Sequence, residues 1–222
     1  YNYARIFEDI ANKKLDAIRT YRQLLLDDLF FMVCFGMQIE KANHPFVVEQ
    51  CRVVQDGPKT DTLDVWARYH FKSVIITQAE TIQYHLKHPE HCTGILAYVR
   101  PAAKAFLRSI KALLERSGFL KQCFPDILWH KPESQAQKWS EDDGLVWKRE
   151  SSSRKESTIE AWGLVEGMPT GRHFERMVFD DIETDDIRES PDMLDKVYSK
   201  FQMANTNLVS GSDDDVVWII GT

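Results

Sequence analysis

The sequence predicts an α/β fold, in which a mostly parallel central sheet is flanked by helices and preceded by an N-terminal helical subdomain. Three observations carry that prediction. Apolar residues between positions 3 and 41 recur at helical steps. From Thr62 onward, short apolar runs alternate with helical stretches of roughly ten to fifteen residues, the pattern of βαβ units. Proline and glycine bracket the strongest of those helices, with Pro101 in its first turn and Gly118 just past its end.

Taken in order, residues 3–41 read as helical, with Ile6, Ile10, Leu15, Ile18, Leu25, Leu29 and Met32 on one periodic face. Asn43-His44-Pro45 turns the chain into a short helix through Val47 and Val54, which Asp56-Gly57-Pro58 closes. Residues 1–56 form the helical segment on this reading, and 57–222 the core. Residues 62–66 then read as a strand, 73–86 as a helix, 94–99 as a second strand and 101–116 as a helix. The stretch 124–157 is polar, with Trp129, Trp139 and Trp147 as packing residues. Short strands are expected at 145–148 and 158–164. Met177-Val178-Phe179 reads as a compact buried strand with acids at its end. A helix over 191–204 and a last strand over 216–220 complete the pattern. A chain ending two residues after a strand predicts a fragment.

The length of 222 residues suits one domain of ordinary size, and 43% hydrophobic with 28% charged residues is a globular balance. No stretch approaches the ~18 apolar residues of a membrane span, and no signal peptide is evident. A soluble, intracellular protein with no membrane partner is therefore expected. Cys34, Cys51, Cys92 and Cys123 are far apart and form no C-x-x-C pair, which argues against a zinc site and a disulfide framework. A net charge of −6 argues against broad phosphate neutralisation, so any contact with DNA needs a local patch or a ring.

Three short segments carry chemistry. Trp66-Ala67-Arg68-Tyr69-His70-Phe71-Lys72-Ser73 lies between a predicted strand and a predicted helix. A lysine for β/γ-phosphates and a hydroxyl for magnesium belong at such a helix start. Against G-x-x-x-x-G-K-[ST], however, Trp66 and Phe71 replace both glycines. Met177-Val178-Phe179-Asp180-Asp181-Ile182-Glu183 offers a carboxylate for magnesium at a strand end, expected on the strand beside the loop, and a second acid to act on water. Gly221-Thr222 sits at the tip of the last strand, where a small residue and a hydroxyl can sense a phosphate. Each alone has an ordinary reading: a helix start, an acidic loop, a strand end. In a parallel sheet all three fall at the C-terminal strand ends, where ligands bind.

The run Leu63-Asp64-Val65-Trp66-Ala67-Arg68-Tyr69-His70-Phe71-Lys72-Ser73-Val74-Ile75-Ile76-Thr77 resembles a variant phosphate loop of bacteriophage terminase large subunits. Further resemblances lie in Arg100-Pro101-Ala102-Ala103-Lys104-Ala105-Phe106-Leu107, Lys138-Trp139-Ser140-Glu141-Asp142-Asp143-Gly144-Leu145 and Thr170-Gly171-Arg172-His173-Phe174. Residues 177–181 resemble that family's Walker B strand, and 219–222 its coupling motif.

The resemblance implies a P-loop NTPase of the additional-strand, conserved-glutamate (ASCE) type, an ATPase that drives viral DNA packaging. It implies ATP and Mg2+ as cofactors. Its implied partners are double-stranded DNA, the portal protein, the small terminase subunit and further copies of itself in a ring. Its implied place is the cytoplasm of an infected bacterium, at the procapsid portal. Arg68, Tyr69, His70, Phe71, Lys72 and Ser73 would surround the phosphates, Ser73 and Asp180 would hold magnesium, and Gly221 and Thr222 would couple hydrolysis to movement. Asp181 stands where many relatives have the catalytic glutamate, leaving Asp181 or Glu183 as the acid that acts on water. Arg68 either leans on the γ-phosphate or shapes the turn by a salt bridge. Such subunits carry their nuclease in a separate C-terminal domain, so no DNA cleavage is expected here.

Two further groups keep alternatives open. Arg100, Lys104, Arg108 and Lys111 share a helix face. They are either a DNA contact, a source of a trans-acting arginine, or a solvated stripe. Phe46 and Gln50 are either on the adenine side or in the core. A helicase-like ATPase and a degenerate domain that binds portal or DNA without hydrolysis are the competing functions.

Overall fold

Runs of apolar residues with no polar face are stable as strands only inside a sheet covered on both sides. The computed structural model, which describes residues 2–57, 61–151, 153–167, 171–182, 190–208 and 216–221, uses them that way. Its strands are β1 (Thr62–Val65), β2 (Thr93–Ala97), β3 (Trp139–Ser140), β4 (Gly144–Leu145), β5 (Ile159–Gly163), β6 (Arg176–Asp180) and β7 (Val216–Gly221). They form one seven-stranded sheet of order β1-β7-β6-β2-β5-β4-β3. The first five in that order are parallel neighbours, and the short β4 and β3 add antiparallel pairs at the far edge.

Register shows why these runs need two covers. Ile95 and Ala97 of β2, Val178 of β6 and Trp218 and Ile220 of β7 point into one apolar cluster. Leu96, Met177, Phe179 and Val217, the alternating positions, point into another. The first cluster is covered by α4 (Pro45–Asp56), by a π-helical segment at Val74–Glu80 that continues as α5 (Thr81–Lys87), and by α6 (Arg100–Arg116). The second is covered by α9 (Pro191–Asn205) through Val197 and Ala204. Residues of α2 (Ala17–Asp27) and α3 (Leu29–Phe31) join the first cluster, so the N-terminal helices share a core with the sheet. Gly163 lets α6 close against the end of β5, because a Cβ there would lie 2.5 Å from the Arg100 backbone nitrogen.

Four sequence expectations are corrected. The continuous helix over 3–41 is broken into α1 (Tyr3–Ala11), α2 and α3, the last running on into a π-turn at Met32–Gly36. Asp16 and Asp28 cause the breaks, since each accepts a hydrogen bond from the backbone three residues on and starts a new helix as its N-cap. The strand expected at 145–148 is cut to Gly144–Leu145, because the Lys148 N–H leaves the sheet to donate to the Ile127 carbonyl. The helix expected over 73–86 opens as a π-segment, a widening that recurs near functional sites. The strand bearing the acids is not beside the strand bearing the loop, since β7 lies between β1 and β6.

The remaining helices are α7 (Gly118–Cys123) and α8 (Pro132–Gln135). Trp147 is fully buried, and Trp129 and Trp139 are half-buried with their indole N–H groups bonded to the Val146 carbonyl and to Glu115. All four cysteines are free thiols, and Cys51, Cys92 and Cys123 are buried. Among the described residues, no helix is long and apolar enough to cross a membrane.

Candidate functional site

The turn after β1 is built without glycine, and its backbone shows the cost. Tyr69 and Phe71 adopt φ values of 68° and 61°, a left-handed conformation that bulky residues rarely hold. Phe71 occupies the position where the phosphate-loop pattern has its second glycine, and it holds there a positive φ of the kind that glycine adopts freely. Phe71 compensates by packing on the core, whereas Tyr69 is 98% exposed. His70 bonds through Nδ1 to the Arg68 carbonyl at 2.8 Å, and its ring meets Phe46 edge-on at 5.1 Å. Phe46 is in the first turn of α4, so the start of that helix rests against the loop. Gln50, one helical turn further, is half-buried. Arg68 is exposed, and its side chain makes no ion pair among the described residues.

Past the turn, Lys72 is only 7% exposed, and its Nζ reaches Asp181 Oδ1 at 3.0 Å. Asp181 follows the last residue of β6, has a φ of 52°, and keeps its side chain 59% exposed. Asp180, the last residue of β6, is fully buried. Its Oδ2 accepts a hydrogen bond from Thr77 at 2.5 Å, while Oδ1 is buried with no hydrogen-bond partner. Burial pushes the Asp180 carboxyl above the usual carboxylate range. The Thr77 bond, the nearby Ser73 hydroxyl and the Lys72 charge pull it down, and the Asp181 charge pushes it up.

The end of β7 lies between these two loops. Trp66 N–H donates to the Gly221 carbonyl at 3.2 Å, and Asp181 N–H donates to the Ile220 carbonyl at 3.1 Å. Lys72, Ser73, Asp180, Asp181 and Gly221 thus meet at the C-terminal strand ends of β1, β7 and β6. Glu183 and Thr222, and Thr170 of the third resemblance, lie outside the described residues.

The basic stripe of α6 is engaged within the chain. Arg100 donates from Nη2 to the Asp142 carbonyl at 2.9 Å, and its guanidinium lies 5.2 Å from the Trp162 ring centre. Lys104 pairs with Asp142. Arg108 forms a two-pronged pair with Glu141, at 2.8 and 2.6 Å. Lys111 pairs with Glu115 at 2.6 Å. The β3–β4 hairpin therefore supplies the counter-charges of Arg100, Lys104 and Arg108, α6 itself supplies that of Lys111, and the stripe is neither bare nor simply solvated.

Thr77 is the site residue that sequence reasoning missed. Its available signal is its place one helical turn beyond Ser73, on the helix that follows the loop. No protein-family model matches this chain, and no curated protein matches it.

Proposed function

We propose that this chain is a magnesium-dependent ATPase of the P-loop, ASCE type, and that it works as the motor of a phage terminase large subunit. The observation that carries the reading is Asp180. A fully buried carboxylate with one oxygen unpartnered, beside a lysine and a serine at a helix start, is a costly arrangement unless a ligand completes it. The donor set fits a hard divalent cation, which binds through one or two protein oxygens together with phosphate and water.

In this reading Lys72 receives the β/γ-phosphates, Ser73 and Asp180 hold the magnesium, and Asp181 or Glu183 orients the attacking water. Magnesium, when bound, neutralises charge on the phosphates and so favours departure of the γ-phosphoryl group. Lys72 must exchange Asp181 for phosphate, which frees that carboxylate when nucleotide arrives. Phe46 and His70 border the nucleotide on the base side, and Arg68 lies within reach of the phosphates. Gly221 and Thr222 relay phosphate release. Double-stranded DNA, the portal, the small subunit and neighbouring copies in a ring are the partners this reading assigns, at the procapsid in an infected cell.

Release of phosphate from ATP, measured with and without DNA, tests the proposal: turnover should require magnesium and vanish in Lys72→Ala. A second reading, a domain that binds portal or DNA without hydrolysis, draws on the strained, glycine-free turn. Turnover that ignores Lys72, or none under any condition, would favour it.

A further inference from the structure

Thr77 stands four residues beyond Ser73 on the helix after the turn, and its hydroxyl reaches Asp180 at the C-terminal end of β6. Helical threonines ordinarily turn the hydroxyl back on a carbonyl of the preceding turn. Thr81, one turn later, does so, with Oγ1 3.5 Å from the Ile76 carbonyl. Thr77 instead gives its one proton to a carboxylate, at 2.5 Å, with both side chains wholly buried. That bond fixes Oδ2 and stops rotation of the carboxylate about its last torsion. It thereby decides which oxygen remains unpartnered, and that oxygen is Oδ1. The π-helical widening over Val74–Glu80 spans Thr77, so the local backbone departs from regular geometry where this contact is made.

We infer that Thr77 is a positioning residue that clamps Asp180 by Oδ2 and so presents Oδ1 to the divalent cation of a bound nucleotide. The inference rests on the magnesium-nucleotide reading above and adds to it a residue that touches neither nucleotide nor metal. Partners of this kind orient a ligand carboxylate, and their loss typically weakens metal binding by about 10- to 100-fold.

Binding of a fluorescent ATP analogue, titrated with Mg2+, separates the two claims. In Thr77→Val the Mg2+ midpoint should rise by about tenfold or more. Thr77→Ser should stay near wild type, and affinity without metal should be unchanged in both. Circular dichroism checks folding, and Thr77→Ala carries the comparison if the valine variant does not fold. Asp180→Asn, which should lose the Mg2+ dependence, is the reference. A midpoint within roughly twofold of wild type in Thr77→Val and Thr77→Ala, with Asp180→Asn still metal-blind, overturns the role of Thr77 and leaves the ATPase reading standing. Wild-type binding that does not respond to Mg2+ overturns both.

Discussion

Two charge clusters in this molecule use similar side chains and end in opposite states. On α6, Arg100, Lys104 and Arg108 lie at the surface, and the hairpin acids Glu141 and Asp142 satisfy them. At the ends of β1 and β6, Lys72 and Asp180 are buried, one carboxylate oxygen has no partner, and burial holds the acid above its usual range. Exposed pairs contribute little to stability and demand nothing further. A buried, incompletely bonded carboxylate costs stability, and persists only where something other than folding requires it. The contrast separates a cluster that fastens a hairpin to a helix from one that carries an uncompensated cost, which the proposed metal would offset.

The strongest way to break the comparison is Asp180→Asn. Magnesium-dependent ATP turnover should fall by about 100-fold or more, since the metal loses its fixed carboxylate. The same variant should melt higher by about 3 °C, because an ionised group no longer has to be buried. A scanning melt paired with a phosphate-release assay reads both, and a lower melting temperature would contradict the idea of a stability cost. Lys72→Ala comes next. Nucleotide binding should weaken by about tenfold or more through loss of a charge-assisted contact, measured by fluorescent-nucleotide titration.

The acid side sharpens the contrast further. A carboxyl with a raised folded-state pKa keeps its proton to higher pH in the folded chain than in the unfolded one. Its ionisation therefore costs stability that is absent below about pH 3.8 and fully present above the raised value. As pH falls through that window, the melting gain of Asp180→Asn should shrink. Melts of the metal-free protein across pH 4 to 8 check this, and a pH-independent gain would refute it. For α6, Arg108→Ala should change turnover by less than about twofold, because its exposed charge is already matched by Glu141. Tenfold loss restored by mixing with the inactive Lys72→Ala subunit, which keeps Arg108, would instead reveal an arginine acting in trans.

The smallest effect concerns the turn itself. Phe71→Gly relieves a left-handed φ worth about 1 kcal/mol or slightly more, and gives up packing of similar size. Denaturant unfolding should shift little, with turnover retained. Complete loss of activity would mean that the phenyl ring itself serves the site.

The sequence made the strands legible where both neighbours are apolar. Residues 177–179 and 216–220 have no polar alternation and fit only a covered parallel sheet, and Pro101 with Gly118 delimits α6. Neighbourhood within the sheet was not legible. Nothing in the residues of β7 says that it separates β1 from β6, because strand order depends on contacts between distant segments. The same limit hid the pairing of α6, whose counter-charges lie more than thirty positions away in the hairpin. The breaks at Asp16 and Asp28 were hidden differently: an apolar period of 3.6 persists across them, and only the capping bonds reveal the new starts. At the site, Lys72, Ser73, Asp180 and Asp181 could be found as charged or hydroxyl residues at strand ends. Thr77 offered only its place one turn beyond Ser73, since a threonine in a helix carries no mark of what its hydroxyl meets.

The tip of β7 holds two neighbours at once. Consecutive carbonyls of one strand point to opposite sides, so the Ile220 carbonyl accepts from Asp181 at the acid loop and the Gly221 carbonyl accepts from Trp66 at the start of the lysine loop, from adjacent peptide units. The strand tip is thus a backbone bridge between the two loops, one residue long. Only those two hydrogen bonds and the Ile220–Gly221 backbone separate the Trp66 N–H from the Asp181 N–H, with no chain of side chains in between.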